Sequence, residues 1–261
     1  MKILLTNDDG IQAPGIEALA QGLKGSAEVL LVAPKNEKSA SSHSISLRQK
    51  LRIKEFEISG LRHFSVEGTP ADCVKFALSE IPDFRPDLVI SGINHGTNTG
   101  VSVYYSGTIS AARESLINRI PAVAMSLCSP TFSDFSVGVD LAKKIATGYE
   151  QGSLPRGIML NINIPPVPGN EIKGIRVTKQ ASSRFIEEFI SHGLHEGDKI
   201  YTLAGQIEVD DADGSSDEEA IIEKYISITP LKLDLTDYDA MKPVENWLKQ
   251  FKEGEKSYFA T

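Results

Sequence analysis

Two hydrophobic periods alternate along the first part of the chain. KILLT at 2–6 is an apolar run of strand length, GIEALAQGLK at 15–24 repeats its apolar residues at helical spacing behind Pro14, and EVLLVA at 28–33 is a second strand closed by Pro34. Alternating segments around Ser46 to Phe56 and Arg62 to Val66 predict antiparallel strands. TPADCVKFALSE then predicts a helix from Thr69 with Pro70 in its first turn, and PDLVISGIN the next buried strand. A polar loop from Asn94 to Ser106 leads into a helix, SGTISAARESLIN, and a strand, AVAMSL. A helix near Val137 to Tyr149 and the strand MLNINIP complete the repeat.

Strands this rich in Val, Ile and Leu, separated by helices, predict a mostly parallel sheet covered on both faces. The expected fold is α/β, a doubly wound, Rossmann-like three-layer sandwich spanning residues 1–165. Beyond Pro165 the period changes. GIRVTKQ, KIYTLAGQIEV and KYISITPLKL alternate as antiparallel strands do, and DYDAMKPVENWLKQFKE has the spacing of a last helix, so residues 166–261 read as a C-terminal extension or arm. No internal repeat is present.

Composition narrows the classes. With 261 residues, 41% hydrophobic and 24% charged, the chain has the make-up of a globular protein, and no apolar run approaches a membrane span. The run Ile3 to Leu5 is too short for a signal peptide, so the cytoplasm is the expected compartment. A net charge of -8 argues against neutralising a nucleic-acid backbone. Between Glu208 and Glu223 eight acidic residues occur without a basic one, which reads as a solvated loop or an arm. It is no calcium-binding loop: a register on Gly214 puts Val209 and Ala220 at ligand positions. Cys73 and Cys128 lie in no Cys-x-x-Cys pair and read as small buried apolar residues, with a disulfide left open.

Candidate chemistry starts at LLTNDDGI, where Asp8 and Asp9 sit side by side after an apolar strand. Adjacent anions repel by roughly 1 kcal/mol or more, which a bound cation would offset. Asp9-Gly10 is equally a common turn dipeptide, and both readings stand at this point. In an open parallel sheet, ligands bind beyond the carboxyl ends of the strands. The loops that follow those ends supply Asn7, Asp8 and Asp9, then Ser39 and His43, then Asn94, Asn98, Ser106 and Thr108. This oxygen-rich set suits Mg²⁺ or Mn²⁺ better than zinc. SGINHGTNTG carries neither nucleotide-binding glycine motif and reads equally as a flexible loop. Ser106 reads as a helix cap, and the free N–H groups behind it read equally as a seat for phosphate, the two being compatible. His43 stands between a surface residue and a substrate contact. Asn7 occupies the position where dehalogenase-type phosphatases carry a nucleophilic aspartate, which favours direct attack by an activated water.

Taken together these stretches resemble the SurE family of survival-protein nucleotidases. LLTNDDGIQAPGI, VAPKNEKSASSHSIS, EGTPADCVKFAL, DLVISGINHGTNTG, YYSGTISAARE and SITPLKLDLTDYDAM are similar to that family's segments, in order, from Met1 to about Leu248. The resemblance implies a divalent-metal-dependent 5'-nucleotidase acting on nucleoside 5'- and 3'-monophosphates, with some activity on short polyphosphate. It implies one Mg²⁺ or Mn²⁺ per subunit on Asp8, Asp9, Ser39 and Asn94, and phosphate near Asn98, Ser106, Gly107 and Thr108, with His43 beside them. Asp8 and Asp9 are then the catalytic carboxylates, Asp9 the favoured proton acceptor. It also implies a homodimer or tetramer with exchanged C-terminal segments. A phosphatase for another small phosphomonoester, or a non-catalytic binding protein, is the alternative. Thr97 and Ser115 depart from the family's commoner residues without supplying a ligand.

Overall fold

The computed structural model describes residues 1–210 and 213–249. Its strands are β1 (Lys2–Thr6), β2 (Glu28–Pro34), β3 (Ile53–Ile58), β4 (Leu61–Val66), β5 (Leu88–His95), β6 (Ala122–Leu127), β7 (Met159–Ile164), β8 (Gly174–Val177), β9 (Ser183–His195), β10 (Asp198–Val209) and β11 (Tyr225–Leu231). The helices are α1 (Pro14–Leu23), α2 (Pro70–Glu80), α3 (Ser102–Tyr105), α4 (Gly107–Ile117), α5 (Ser136–Glu150), α6 (Asp217–Ile222) and α7 (Tyr238–Lys249). Nine of these strands form one sheet in the order β3-β4-β2-β1-β5-β6-β7-β11-β8. Strands β4, β2, β1, β5, β6 and β7 run parallel, whereas β3 pairs antiparallel with β4 and β11 antiparallel with β7.

The apolar strands are continuous because both faces of the sheet are covered. In β1, Ile3 and Leu5 join Ile16, Leu19, Leu23, Leu141 and Ile145 of α1 and α5, while Leu4 points the other way, into the cluster of Cys73, Val74, Ala77 and Ala111 from α2 and α4. Alternate residues of one five-residue strand thus serve two helical layers. Helix α2 starts as its sequence demands: Pro70 opens it, and Thr69 and Asp72 form a reciprocal capping box. The α/β sandwich expected from the alternation is the observed architecture.

The chain moves outward from β1 through β2 to β4, then returns beside β1 with β5 and proceeds through β6 to β7. The order therefore reverses between β1 and β5, the position at which open α/β sheets leave a crevice at their carboxyl edge.

Several local expectations change. Residues 46–51 form no strand, because their polar run is fastened by Asp72, whose Oδ1 accepts from Ser46 N–H at 3.0 Å. Part of the polar loop up to Ser106 is the short α3. The acidic stretch is more than a solvated loop: its second half is α6, with Asp217 fully buried. Strand β9, unrecognised in sequence, pairs antiparallel with β10 over most of its length as a separate ribbon, whereas GIRVTKQ, expected antiparallel, supplies β8, which pairs parallel with β11 at the edge of the main sheet. Both cysteines are free. Helix α7 belongs to a second unit from Lys232 onward, and its apolar Met241, Val244 and Leu248 recur at helical spacing. The last residues of that predicted helix, 250–253, lie outside the described residues.

Candidate active site

The crevice is built from three loops. Behind β1, Asn7 closes a turn on itself: its Nδ2 donates to Gly10 O at 2.8 Å and its Oδ1 accepts from Gly10 N–H at 3.2 Å. Gly10 takes φ +105°, which only glycine adopts cheaply. The amide that cannot be a nucleophile is a framework residue. It holds Asp8 and Asp9 together at the carboxyl end of β1.

Asp8 is buried and accepts from Thr108 Oγ1 at 2.5 Å. Burial pushes its carboxyl above the ordinary range, while the Thr108 hydroxyl and the Gly107 and Thr108 N–H groups pull it back. The approach requires glycine at 107, where a Cβ would lie 2.7 Å from Asp8 Cβ. The N-terminus of α4, capped by Ser106 Oγ accepting from Ile109 N–H at 3.0 Å, thus abuts the carboxylate pair. Asp9 is pushed up to about 7, first by burial and then by the charges of Asp8 and Glu37, against a 3.3 Å hydrogen bond from His95 N–H. Two carboxylates are held where neither is well solvated.

The second loop is tied down by Lys38 N–H to Asp8 O at 2.7 Å and Ser42 N–H to Tyr105 O at 2.9 Å. Ser39 stays exposed and donates to Glu37 Oε1 at 2.5 Å. It shares a cavity of about 520 Å³ with Asp9, Lys35, Glu37 and His95. His43 turns to Glu114 instead, 3.0 Å from Nε2 to Oε2. Burial raises the Glu114 carboxyl, but His43 and Lys75 more than compensate and hold it below the usual range.

The third loop follows β5. Asn94 is buried, and its Nδ2 donates to Gly96 O at 3.0 Å. Among the described residues no hydrogen bond to Oδ1 of Asn94 or of Asp9 accompanies these, the His95 N–H reaching Asp9 at Oδ2. Asn98 is brought to the same crevice but turned inward: its Nδ2 donates to Ser126 Oγ at 2.8 Å. Its backbone is clasped by Asn163, which accepts from Asn98 N–H at 2.9 Å, and by Asn161, which donates to Asn98 O at 2.7 Å.

The predicted loops therefore meet at one edge, with Asp8, Asp9, Asn94, Ser106, Gly107 and Thr108 at its centre, Ser39 on the rim and His43 to one side. Glu114, Lys75, Ser126, Asn161 and Asn163 were not singled out from sequence. The last two carried a signal: asparagines two apart inside a strand buried throughout. Among the described residues no group of three or more His, Cys, Asp or Glu could hold a metal ion. Two carboxylates, a hydroxyl and an amide oxygen nevertheless make a donor set of the kind hard cations use. A larger cavity of about 590 Å³ lies among Lys2, Arg85, Arg119 and Arg156 and contains none of the predicted site residues.

Fold and site define an open, doubly wound α/β protein with a paired-aspartate, anion-compatible crevice at its topological switch point. The sequence profile of survival protein SurE matches residues 3–187. The chain belongs to that family. A 5'-nucleotidase SurE of Symbiobacterium thermophilum is 45% identical over 249 residues, covering 94% of this chain and 97% of the relative. One of Natranaerobius thermophilus is 39% identical over 255 residues, covering 95% and 98%. The crystal structure of the SurE protein from Aquifex aeolicus superposes with a TM-score of 0.81 at 35% identity, covering 95% of this chain and 99% of that one.

Proposed function

We propose that the chain is a divalent-metal-dependent phosphatase that hydrolyses nucleoside 5'-monophosphates, and 3'-monophosphates, to nucleoside and phosphate, with short polyphosphate as a further substrate. The observation that carries this reading is the contact between the Asp8–Asp9 pair and the N-terminus of α4, joined through Thr108. A cation site and a phosphate seat then share one wall. The relatives named 5'-nucleotidase extend over nearly the whole chain and support the substrate class.

Asp8, Asp9, Ser39 and Asn94 would hold one Mg²⁺ or Mn²⁺. Such a cation supplies Lewis-acid charge to the phosphoryl oxygens. Gly107 and Thr108 N–H groups, with the Ser106 hydroxyl, orient the phosphate and stabilise the charge that builds on it, while the Thr108 hydroxyl holds Asp8 against that turn. Asp9 accepts the proton of the attacking water as the nucleoside oxygen leaves. Asn98 braces the crevice floor from Ser126 and Asn163, and His43 pins the second loop to α4 through Glu114.

A second reading, another small phosphomonoester as substrate, draws on the cavity beside Asp9. His95 is the only aromatic ring among the described residues that line it, so stacking of a base has little to rest on there. Turnover of all nucleoside monophosphates and a set of sugar phosphates separates the two. In the same assay chelation abolishes phosphate release and Mn²⁺ or Mg²⁺ restores it. Full turnover after exhaustive stripping of metal sinks the mechanism.

Assembly as a homodimer or tetramer through C-terminal segments fits the ribbon β9–β10, which exposes Phe189, Leu194, Tyr201 and Leu203. No helix among the described residues is long and apolar enough to cross a membrane. The two free thiols accord with the cytoplasm.

A further inference from the structure

The loop that carries Asn98 is held from its far side by the acidic segment. Asp217, the first residue of α6, is fully buried. Its carboxylate accepts from Gly100 N–H at 3.2 and 3.3 Å and from Ala181 N–H at 2.9 Å. Beside it, Glu218 Oε1 accepts from Thr99 Oγ1 at 2.5 Å. Gln180 Nε2 donates to Gly100 O at 2.8 Å, and Val101 N–H donates to Ser183 Oγ at 2.8 Å. Gly100 takes φ +47° and presses so closely on this segment that a Cβ would sit 2.2 Å from Ser183 Oγ.

Helix capping does not account for Asp217. Ser216 and Glu219 already form a complete capping box for α6. A carboxylate without solvent is costly unless its hydrogen bonds are the reason for its place. Burial pushes Asp217 up to about 6 even though the N–H groups of Ala181 and Gly100 pull the other way. The tie also continues toward the phosphate seat. Ser102 N–H donates to Thr99 O at 2.9 Å, and Ser106 N–H to Ser102 O at 3.1 Å, so Thr99, α3 and the Ser106 turn form one hydrogen-bonded run.

We propose that Asp217 and Glu218 are positioning residues for the phosphate seat: by fixing Thr99 and Gly100 they set where α3 delivers Ser106, Gly107 and Thr108. Neither residue touches the carboxylate pair. This rests on the phosphatase reading, and it deepens it by assigning the alignment of the phosphate to a segment from the other end of the chain. Loosening the loop weakens substrate binding and leaves the cation ligands on β1 and β5 in place.

The test compares the intact protein with Asp217→Ala, Asp217→Asn and Thr99→Val. A small misplacement at a reacting centre costs on the order of 10-fold or more, so Asp217→Ala raises KM for a nucleoside monophosphate by about that factor and lowers kcat with it, because the seat also faces the charge that builds in the transition state. Mn²⁺ affinity, measured by calorimetry, stays within about 2-fold, since the loop carries none of the proposed cation ligands. Asp217→Asn keeps an acceptor oxygen for Gly100 and Ala181 and restores most of the loss. Thr99→Val moves KM in the same direction by less. Amide exchange of residues 98–106 quickens in Asp217→Ala without substrate present. Unchanged KM in folded Asp217→Ala overturns the proposal, as does a parallel fall in Mn²⁺ affinity. If Asp217→Ala does not fold, Thr99→Val decides on the same readout. If the wild type cleaves no nucleoside monophosphate, the phosphatase reading fails separately, and unchanged exchange at 98–106 overturns the positioning role.

Discussion

At Asp9 the chemistry and the stability of the protein oppose each other. Its carboxyl is raised from 3.8 to about 7 by burial and by Asp8. For a group raised in the folded state, stability is fully present below the unfolded value near 4 and is lost as pH rises through about 7. A tenfold change in proton affinity is worth about 1.4 kcal/mol, so the loss reaches a few kcal/mol at most. Metal-free wild type therefore melts lower at pH 8 than at pH 5 by this contribution. Asp9→Asn flattens that slope and melts at or above wild type at pH 8. With saturating Mn²⁺ the order reverses, because wild type gains stability by binding and the variant loses a ligand. Turnover of the variant falls by orders of magnitude while its fold improves. Thermal melts at both pH values, with chelator and with Mn²⁺, check this. Lower melting of the variant in chelator with an undiminished Mn²⁺ shift would mark Asp9 as a turn residue.

Helix α4 joins the proposed cation site to the proposed phosphate seat through its first turn. Gly107 leaves room for Asp8, and Thr108 spends its hydroxyl on that carboxylate. Gly107→Val places carbon against Asp8 Cβ and closes the seat. Thr108→Ala removes the hydroxyl that fixes Asp8 against the seat, while all four proposed cation ligands remain in the chain. Both variants lose turnover, Thr108→Ala by roughly 10-fold or more as Asp8 and the seat lose their alignment. Mn²⁺ titration of Thr108→Ala stays close to wild type. A parallel loss of Mn²⁺ affinity would reassign Thr108 to the cation. The strength of the helix itself is local and legible: Ser106 is a good cap, and Ala111 and Ala112 are good formers.

For the whole molecule the ribbon β9–β10 is the part its own core does not explain. An isolated two-stranded hairpin is marginal in water, and this one exposes apolar residues along both strands. Arg184 faces Glu208 in register and pairs with it at 2.7 Å, so an Asn-Gly turn joining these two closes the ribbon short. The expected outcome is that the shortened chain folds and sediments as a monomer while the full chain sediments as the proposed dimer or tetramer. An unchanged assembly would place the interface elsewhere, with the exposed apolar face of α7 the next to remove.

What the chain determined by itself is whatever rests on neighbours in sequence. Apolar runs of strand length, the capping box at Thr69 and Asp72, the Asn7–Gly10 turn and the Ser106 cap each complete themselves within a few residues. From these the layered α/β class and the loops that gather at one edge both follow. Tertiary structure decided the rest, because the deciding contacts join distant positions. Asn98 meets Asn163 at a separation of 65 residues, His43 meets Glu114 at 71, and Gly100 meets Asp217 at 117. An acidic run carries no local mark of which carboxylate will be buried. Alternation was equally silent about β9, whose residues face solvent for most of its length and show no apolar side to a core. Polarity predicts solvent by default, and only a folded partner that supplies N–H groups to a carboxylate reverses that preference.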